Sequence, residues 1–337
     1  MEMEDTLVGE KTIAFSIAQE ILTTSVNIPT LPANGAKILA VARQSKDQID
    51  IPSFAKLVES DPGLFTRILK MANSPFYGEL DKIVSLRVAI TRIGLVEIVD
   101  SVCLFFFQKL LPRFPDIEGF SYKDFWSHSW ICAVANRRLG HPNLGMDVLP
   151  GELYMTGLLH GIGKLLLAIH FPDDFSKCVK QAMDLKHPLH KVEKDVFGTT
   201  DALVASRVLK AWNFPANICE GVAFHQMPEL APPEYIIIAG LTQFAYAMAD
   251  VSGIGCSGDG LSMELSSTFL GQRPNLKISS KDVQEKLVQE ILEAMGGKAG
   301  NIRSEPSKPP TPKPVTKSFE NRHEKKGVFG WVKSLWS

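Results

Sequence analysis

The sequence predicts an all-α fold, and three observations carry that reading. Apolar residues recur at helical spacing along most of the chain, as at Leu64, Ile68, Leu69 and Met71. Capping residues stand where such runs begin, with Asp61 before Pro62 and Ser85 before Leu86. No stretch shows the apolar–polar alternation of a half-buried strand.

Taken in order, the first expected element is a helix over residues 10–24, with Ile13, Ile17, Ile21 and Leu22 on one stripe. Pro29 and Pro32 make an extended entry to a helix that carries Ile38, Leu39 and Ala42. Ile51-Pro52-Ser53 opens the next, with Phe54, Leu57 and Val58. The helix begun at Pro62 should stop at Asn73-Ser74-Pro75, because proline disfavours helical geometry in the residue before it. Ser85 caps a helix through Ile93, and Gly94 sits where a terminating glycine belongs. Val96–Leu111 completes a helical N-terminal subdomain. Further helices are expected near 123–139, 150–170, 172–186, 188–196, 200–212, 215–225 and 234–250. Val251–Leu276 is rich in Gly and Ser and reads as a loop, and Ser279–Met295 reads as a capped amphipathic helix.

The C-terminal end has another character. Residues 296–327 hold five prolines between Pro306 and Pro314 and few apolar groups, too few to offset the entropy of ordering. They read as a disordered linker. The last ten residues, 328–337, turn apolar again. At 100° per residue Val328, Phe329, Trp331, Val332, Leu335 and Trp336 fall on one face of a helix, behind the basic pair Lys325-Lys326. Such a segment is too short to span a bilayer and is expected to anchor the chain at a membrane surface or in a partner's groove.

Charge and cysteine usage exclude some functions. Lys and Arg total 36 against 37 Asp and Glu, so the chain is no polycation and no nucleic-acid partner is expected. Five cysteines, widely spaced and without a CxxC pair, fit neither a zinc ribbon nor a disulfide framework. Together with the acidic start MEMEDTLVGEK they lead to the expectation of a cytoplasmic protein, peripheral at the inner face of the membrane if the tail binds there.

Chemistry concentrates in Leu153–Lys164, LYMTGLLHGIGK. A histidine inside an apolar helix must find a partner for its ring. It is either a core group bonded to a carbonyl or a metal ligand. Gly161, Gly163 and Lys164 follow a helical pattern, not a strand, so a phosphate-binding loop does not fit. Ser127 and Ser129 flank His128 without an oxyanion motif, which speaks against nucleophilic catalysis.

WSHSW at 126–130, GLLHGIG at 157–163, and FHQMP at 224–228 form an ordered series with LP at 31–32, ESDPGL at 59–64, LKMANSPFYG at 69–78 and SLRVAITRIGL at 85–95. G-x-x-D and W-N-F-P within 198–215 extend it. This series resembles the HDOD family, non-catalytic relatives of the HD phosphohydrolases. The resemblance implies an HDOD domain over 28–250, divided into a helical subdomain near 28–115 and a degenerate HD-like subdomain near 120–250, with residues 1–27 and 251–295 outside it. The HD enzymes hold divalent metal through a first His, a His-Asp pair and a distal Asp, some with further His ligands.

Carried over residue by residue, the pattern is damaged. His128 stands at the first His and His160 at the His of the pair, whose Asp is replaced by Gly161. Asp201 occupies the position of an additional His. His225 keeps the next, with Gln226 beside it, and Tyr246 takes the distal Asp position. No hydrolysis and no cofactor are therefore expected. A residual metal set of His128, His160, Asp201 and His225 is the one exception the donor types leave open. The resemblance implies a bacterial signalling or scaffolding module that contacts other signalling proteins. Two other readings are a sensor that binds a nucleotide in the vestigial pocket and a metal-dependent phosphohydrolase.

Overall fold

Helical periodicity becomes helix from the first described element onward. The computed structural model describes residues 29–74, 77, 82–140, 148–259, 263–273 and 280–294. The expected helix at 10–24, the linker 296–327 and the amphipathic segment 328–337 lie outside the described residues. The N-terminal half comprises α1 (Ala33–Ala42), α2 (Ile51–Glu59), α3 (Pro62–Ala72), α4 (Leu86–Ile93) and α5 (Leu95–Leu110). The second half comprises α6 (Tyr122–Leu139), α7 (Pro150–Leu159), α8 (Ile162–His170), α9 (Pro172–Leu185), α10 (Leu189–Phe197), α11 (Asp201–Ala211), α12 (Ala216–Phe224) and α13 (Ile236–Ser252). The last element is α14 (Lys281–Ala294), packed on α6 and α13. Among the described residues there is no sheet, only an isolated bridge between Ile117 and Phe120.

The caps are those the sequence names. Asp61 accepts from the backbone N–H of Gly63 and Leu64, each at 3.1 Å, and Ser85 accepts from Val88 at 3.3 Å. Gly94, at φ +112°, ends α4 and starts α5 in a conformation that other residues rarely adopt. Asn73 closes the turn after α3 from both sides: its amide donates to the Ile83 carbonyl at 2.8 Å and accepts from the Ile83 N–H at 2.7 Å.

One correction concerns residues 150–170, expected as a single helix. The chain breaks there into α7 and α8 at His160-Gly161. Apolar residues continue in phase on both sides, so periodicity gives no warning; glycine's low helix propensity lets the backbone turn. This stretch, long and apolar enough to cross a membrane by composition alone, is almost wholly buried in the protein's core.

The two halves share one core. Phe107 of α5 stacks on Trp212 at 6.1 Å between ring centroids, and the Trp212 indole N–H donates to the Pro29 carbonyl at 2.8 Å. A Cβ on Gly151 would stand 2.2 Å from the Ala42 carbonyl oxygen, so the start of α7 needs a glycine to meet the end of α1.

Candidate functional site

Four helices of the second half converge. His128 comes from the middle of α6, His160 from the break after α7, His225 from the end of α12, and Tyr246 from α13. The His128 and His160 rings lie 5.8 Å apart, and those of His160 and His225 5.2 Å. Tyr246 sits against them, 4.8 Å from His128 and 5.4 Å from His160. All three histidines are buried, with 2% or less of their surface exposed.

His160 and His225 end their helices in the same way. Each ring Nδ1 lies 2.7 Å from the carbonyl three residues earlier, Gly157 for His160 and Val222 for His225. A carbonyl only accepts, so Nδ1 carries the proton and Nε2 keeps a lone pair. Burial pushes the pKa of His160 well below the usual histidine value, and the neighbouring His225 and His128 add to this. Burial also lowers that of His225, against the pull of Asp201. Both rings are neutral at pH 7. The core-histidine reading of His160, with its bond to a carbonyl, is what the geometry has.

Glycine shapes the break. A Cβ on Gly161 would meet the edge of the Phe125 ring at 3.1 Å. A Cβ on Gly163 would stand 1.9 Å from the backbone oxygen of Asp201, which lets α8 lie directly on the start of α11. Asp201 is fully buried there. It accepts from the Gln226 amide at 2.7 Å, and its backbone N–H donates to Glu193 at 2.9 Å. The sequence-predicted set is thus brought together: His128, His160, His225 and Tyr246 in ring contact, Asp201 and Gln226 adjoining through their hydrogen bond.

The distal position needs correcting. Tyr246 does lie in the cluster, but the carboxylate of α13 that faces it is Asp250, one turn later, which accepts from His128 Nε2 at 3.1 Å. The helix end is therefore not without an acid. Sequence reading also missed Lys164. Its side chain is buried, its ammonium donates to the Ser257 carbonyl at 2.8 Å, and it lies 3.7 Å from Asp259. Burial alone would lower its pKa, yet the charge of the neighbouring acids, Asp259 first and then Asp201, raises it above the usual lysine value. Asp259 in turn accepts from the Leu189 N–H at 2.5 Å and from the Tyr246 hydroxyl. The loop at 253–259, set outside the domain in the sequence reading, is part of the site. Gly255, at φ +73°, lies so close to α6 that a Cβ would meet the His128 N–H at 2.6 Å. The lysine in an apolar helix was the one available signal, since a buried ammonium requires buried acids.

Burial raises the pKa of Glu193 well above the carboxylate range, and the adjacent Asp201 charge adds to it. Asp201 moves the other way. Its burial is outweighed by Lys164 and by the hydrogen bond from Glu193, and its carboxyl is held below the usual value. The pair shares one proton, carried by Glu193.

These residues do not fit the divalent metal of HD enzymes. Gly161 offers no ligand, and a Cβ in its place would crowd the edge of the Phe125 ring. His128 Nε2 is engaged by Asp250. The Lys164 ammonium already supplies positive charge to the acids. Among the described residues, no three His, Cys, Asp or Glu side chains are arranged as a ligand set.

A cavity of about 390 Å³ opens beside the cluster. His190, His225, Gln226, Gln243, Tyr246 and Asp259 line it, with Pro188 and Met263 as apolar walls and Glu264 and Ser267 beside them.

The family model for the HDOD domain matches residues 28–228. A curated protein of Treponema pallidum (strain Nichols), named as uncharacterized, is 23% identical over 240 residues, 69% of this chain and 43% of that one. The chain thus spans less than half the length of that relative. An HDOD domain protein of unknown function from Geobacter sulfurreducens superposes with a TM-score of 0.67 at 22% identity, over 84% of this chain and 96% of its own. A provisionally named signal transduction protein from Marinobacter aquaeolei VT8 gives 0.66 at 20% identity, over 86% and 63%. A provisionally named phosphohydrolase from Shewanella amazonensis SB2B gives 0.55 at 23%, over 81% and 98%. At these identities the structures share the fold.

Proposed function

The chain belongs to the HDOD family, and from that premise we propose that it is a non-catalytic signalling module whose degenerate HD site serves as a buried polar core. The observation that carries this reading is the Lys164 ammonium. It sits among Asp259, Asp201, Glu193 and Asp250, the acids that would otherwise attract a metal ion. A divalent ion entering beside a buried ammonium would meet like charge in a medium of low polarity. Without metal-bound water there is no nucleophile for phosphoester hydrolysis. The ring cluster of His128, His160, His225 and Tyr246 and the shared Glu193–Asp201 proton instead hold α6, α7, α10, α11, α12 and α13 together.

The test is phosphate release by the full chain with Mn²⁺, Mg²⁺, Ni²⁺ or Zn²⁺, offered nucleotides, phosphomonoesters and cyclic dinucleotides. No turnover is expected. Hydrolysis that disappears in a His160→Ala protein overturns the proposal.

As a module of this kind the chain would act through other signalling proteins in a bacterial regulatory pathway, with residues 328–337 as its attachment. A pull-down from native cells with the full chain and with a chain ending at Met295 checks this. The same partners recovered by both would remove the tail from the proposal.

A further inference from the structure

The cavity beside the vestigial site has a chemical bias that the non-catalytic reading does not use. Committed donors around it are turned to protein partners. The Tyr246 hydroxyl donates to Asp259. The Gln226 amide donates to Asp201 at 2.7 Å, and the Gln243 amide donates to the Gln226 carbonyl at 3.2 Å. Apart from the second N–H of each amide, acceptors are what remain. His225, 2% exposed, has spent its N–H on Val222 and brings to the wall an Nε2 that makes no described hydrogen bond. Gln226 keeps its amide oxygen. Glu264 keeps one carboxylate oxygen, the other accepting from Ser266 at 3.3 Å. His190 and Ser267 can donate or accept.

Charge runs the same way. Two carboxylates, Asp259 and Glu264, line the cavity, and no Lys or Arg does so among the described residues. The Lys164 ammonium is bonded to the Ser257 carbonyl and lies 3.7 Å from Asp259, and it does not line the cavity. Burial keeps the pKa of both His190 and His225 below the ordinary value, so these rings add no positive charge at pH 7.

We propose that this cavity binds a small organic cation, an ammonium carried on an apolar body. The ammonium would donate to Glu264 and to the Nε2 of His225, and the apolar part would lie against Pro188, Met263 and the Tyr246 ring. The volume of about 390 Å³ suits a molecule of small-ligand size. The ring of Tyr246 adds a face that attracts cations. Phosphate-bearing nucleotides are the wrong charge for such a wall. The inference does not depend on the absence of hydrolysis, since binding and phosphate release are measured separately.

The experiment is calorimetric titration of the full chain with benzylamine, alongside benzyl alcohol, benzoate and AMP. Benzylammonium is expected to bind with a Kd on the order of 1 mM or tighter. Benzyl alcohol, the same shape without charge, should bind roughly tenfold more weakly, and benzoate and AMP should give no heat of binding. Glu264 is exposed, so Glu264→Gln should leave the melting temperature unchanged while weakening benzylamine by roughly three- to tenfold. Tighter binding of AMP or benzoate than of benzylamine overturns the proposal. So does benzylamine binding that is absent, or that is indifferent to both Glu264→Gln and Asp259→Asn.

Discussion

Asp201, at the histidine cluster, and Asp100, at the junction of the two helical halves, are both buried carboxylates beside a cation. Asp201 faces the fully enclosed Lys164 and shares a proton with Glu193, and its pKa is lowered. Asp100 faces Arg137 at 2.5 Å, a side chain that keeps 20% of its surface in solvent. Burial there wins over Arg137, Glu97 adds to it, and the carboxyl is pushed up to about 7. A carboxylate taken out of water stays charged only when the site surrounds it with enclosed charge and hydrogen bonds. The histidine cluster supplies that surround. The junction does not.

Removing the enclosed cation gives the largest expected effect. Lys164→Met leaves Asp259, Asp201 and Asp250 buried without their counter-charge and should destabilise the protein by roughly 3–5 kcal/mol. Urea unfolding measures it. A loss below about 1 kcal/mol would mean that the acids take up protons at little cost, and the contrast with Asp100 would then collapse.

The sequence carried the helices further than it carried this network. Asp61-Pro62, Ser85 and Gly94 act next to themselves, and each is found as a cap. His128, His160 and His225 were legible through motif order. The break at His160-Gly161 was hidden because Leu158, Leu159 and Ile162 keep the apolar pattern running across it. Asp250 and Asp259 were hidden for another reason. Their roles lie in long-range bonds, His128 to Asp250 and Lys164 to Asp259, which leave no period along the chain. Only the cost of burying Lys164 pointed to such partners.

The histidine cluster sets the next effect. His160→Ala strips hydrogen-bonding capacity from a buried site and should cost on the order of 1–3 kcal/mol near pH 7. Acid should also weaken the parent protein. The folded pKa of His160 lies well below that of the unfolded chain, so below about pH 6.5 the unfolded state binds the extra proton, and stability falls as pH falls. Each such group contributes about 1.4 kcal/mol per pH unit until its folded pKa is reached. Between pH 7 and pH 5 a His160→Asn protein should lose less stability than the parent. Parallel losses would place a charged His160 in the folded core and sink the neutral-network account.

Asp100 should show the smallest effect and the opposite sign. Its folded pKa of about 7 stands above the ordinary 3.8. Between those values the folded state holds a proton that the unfolded state has released. Stability therefore falls as pH rises through this window, and the loss levels off above about 7. The Arg137 side chain, one-fifth exposed and lying over the Tyr154 ring at 4.8 Å, can shift to follow the new charge, which limits the loss. A change of about 1–2 kcal/mol between pH 5 and pH 8 is expected after that discount. Asp100→Asn keeps the shape and cannot titrate, so its urea midpoint should drop less over the same range. The test is the difference between the two slopes, which cancels every other titrating group. Equal slopes would show Asp100 ionised throughout, held by Arg137 as firmly as Asp201 is by Lys164, and the two regions would then follow one rule.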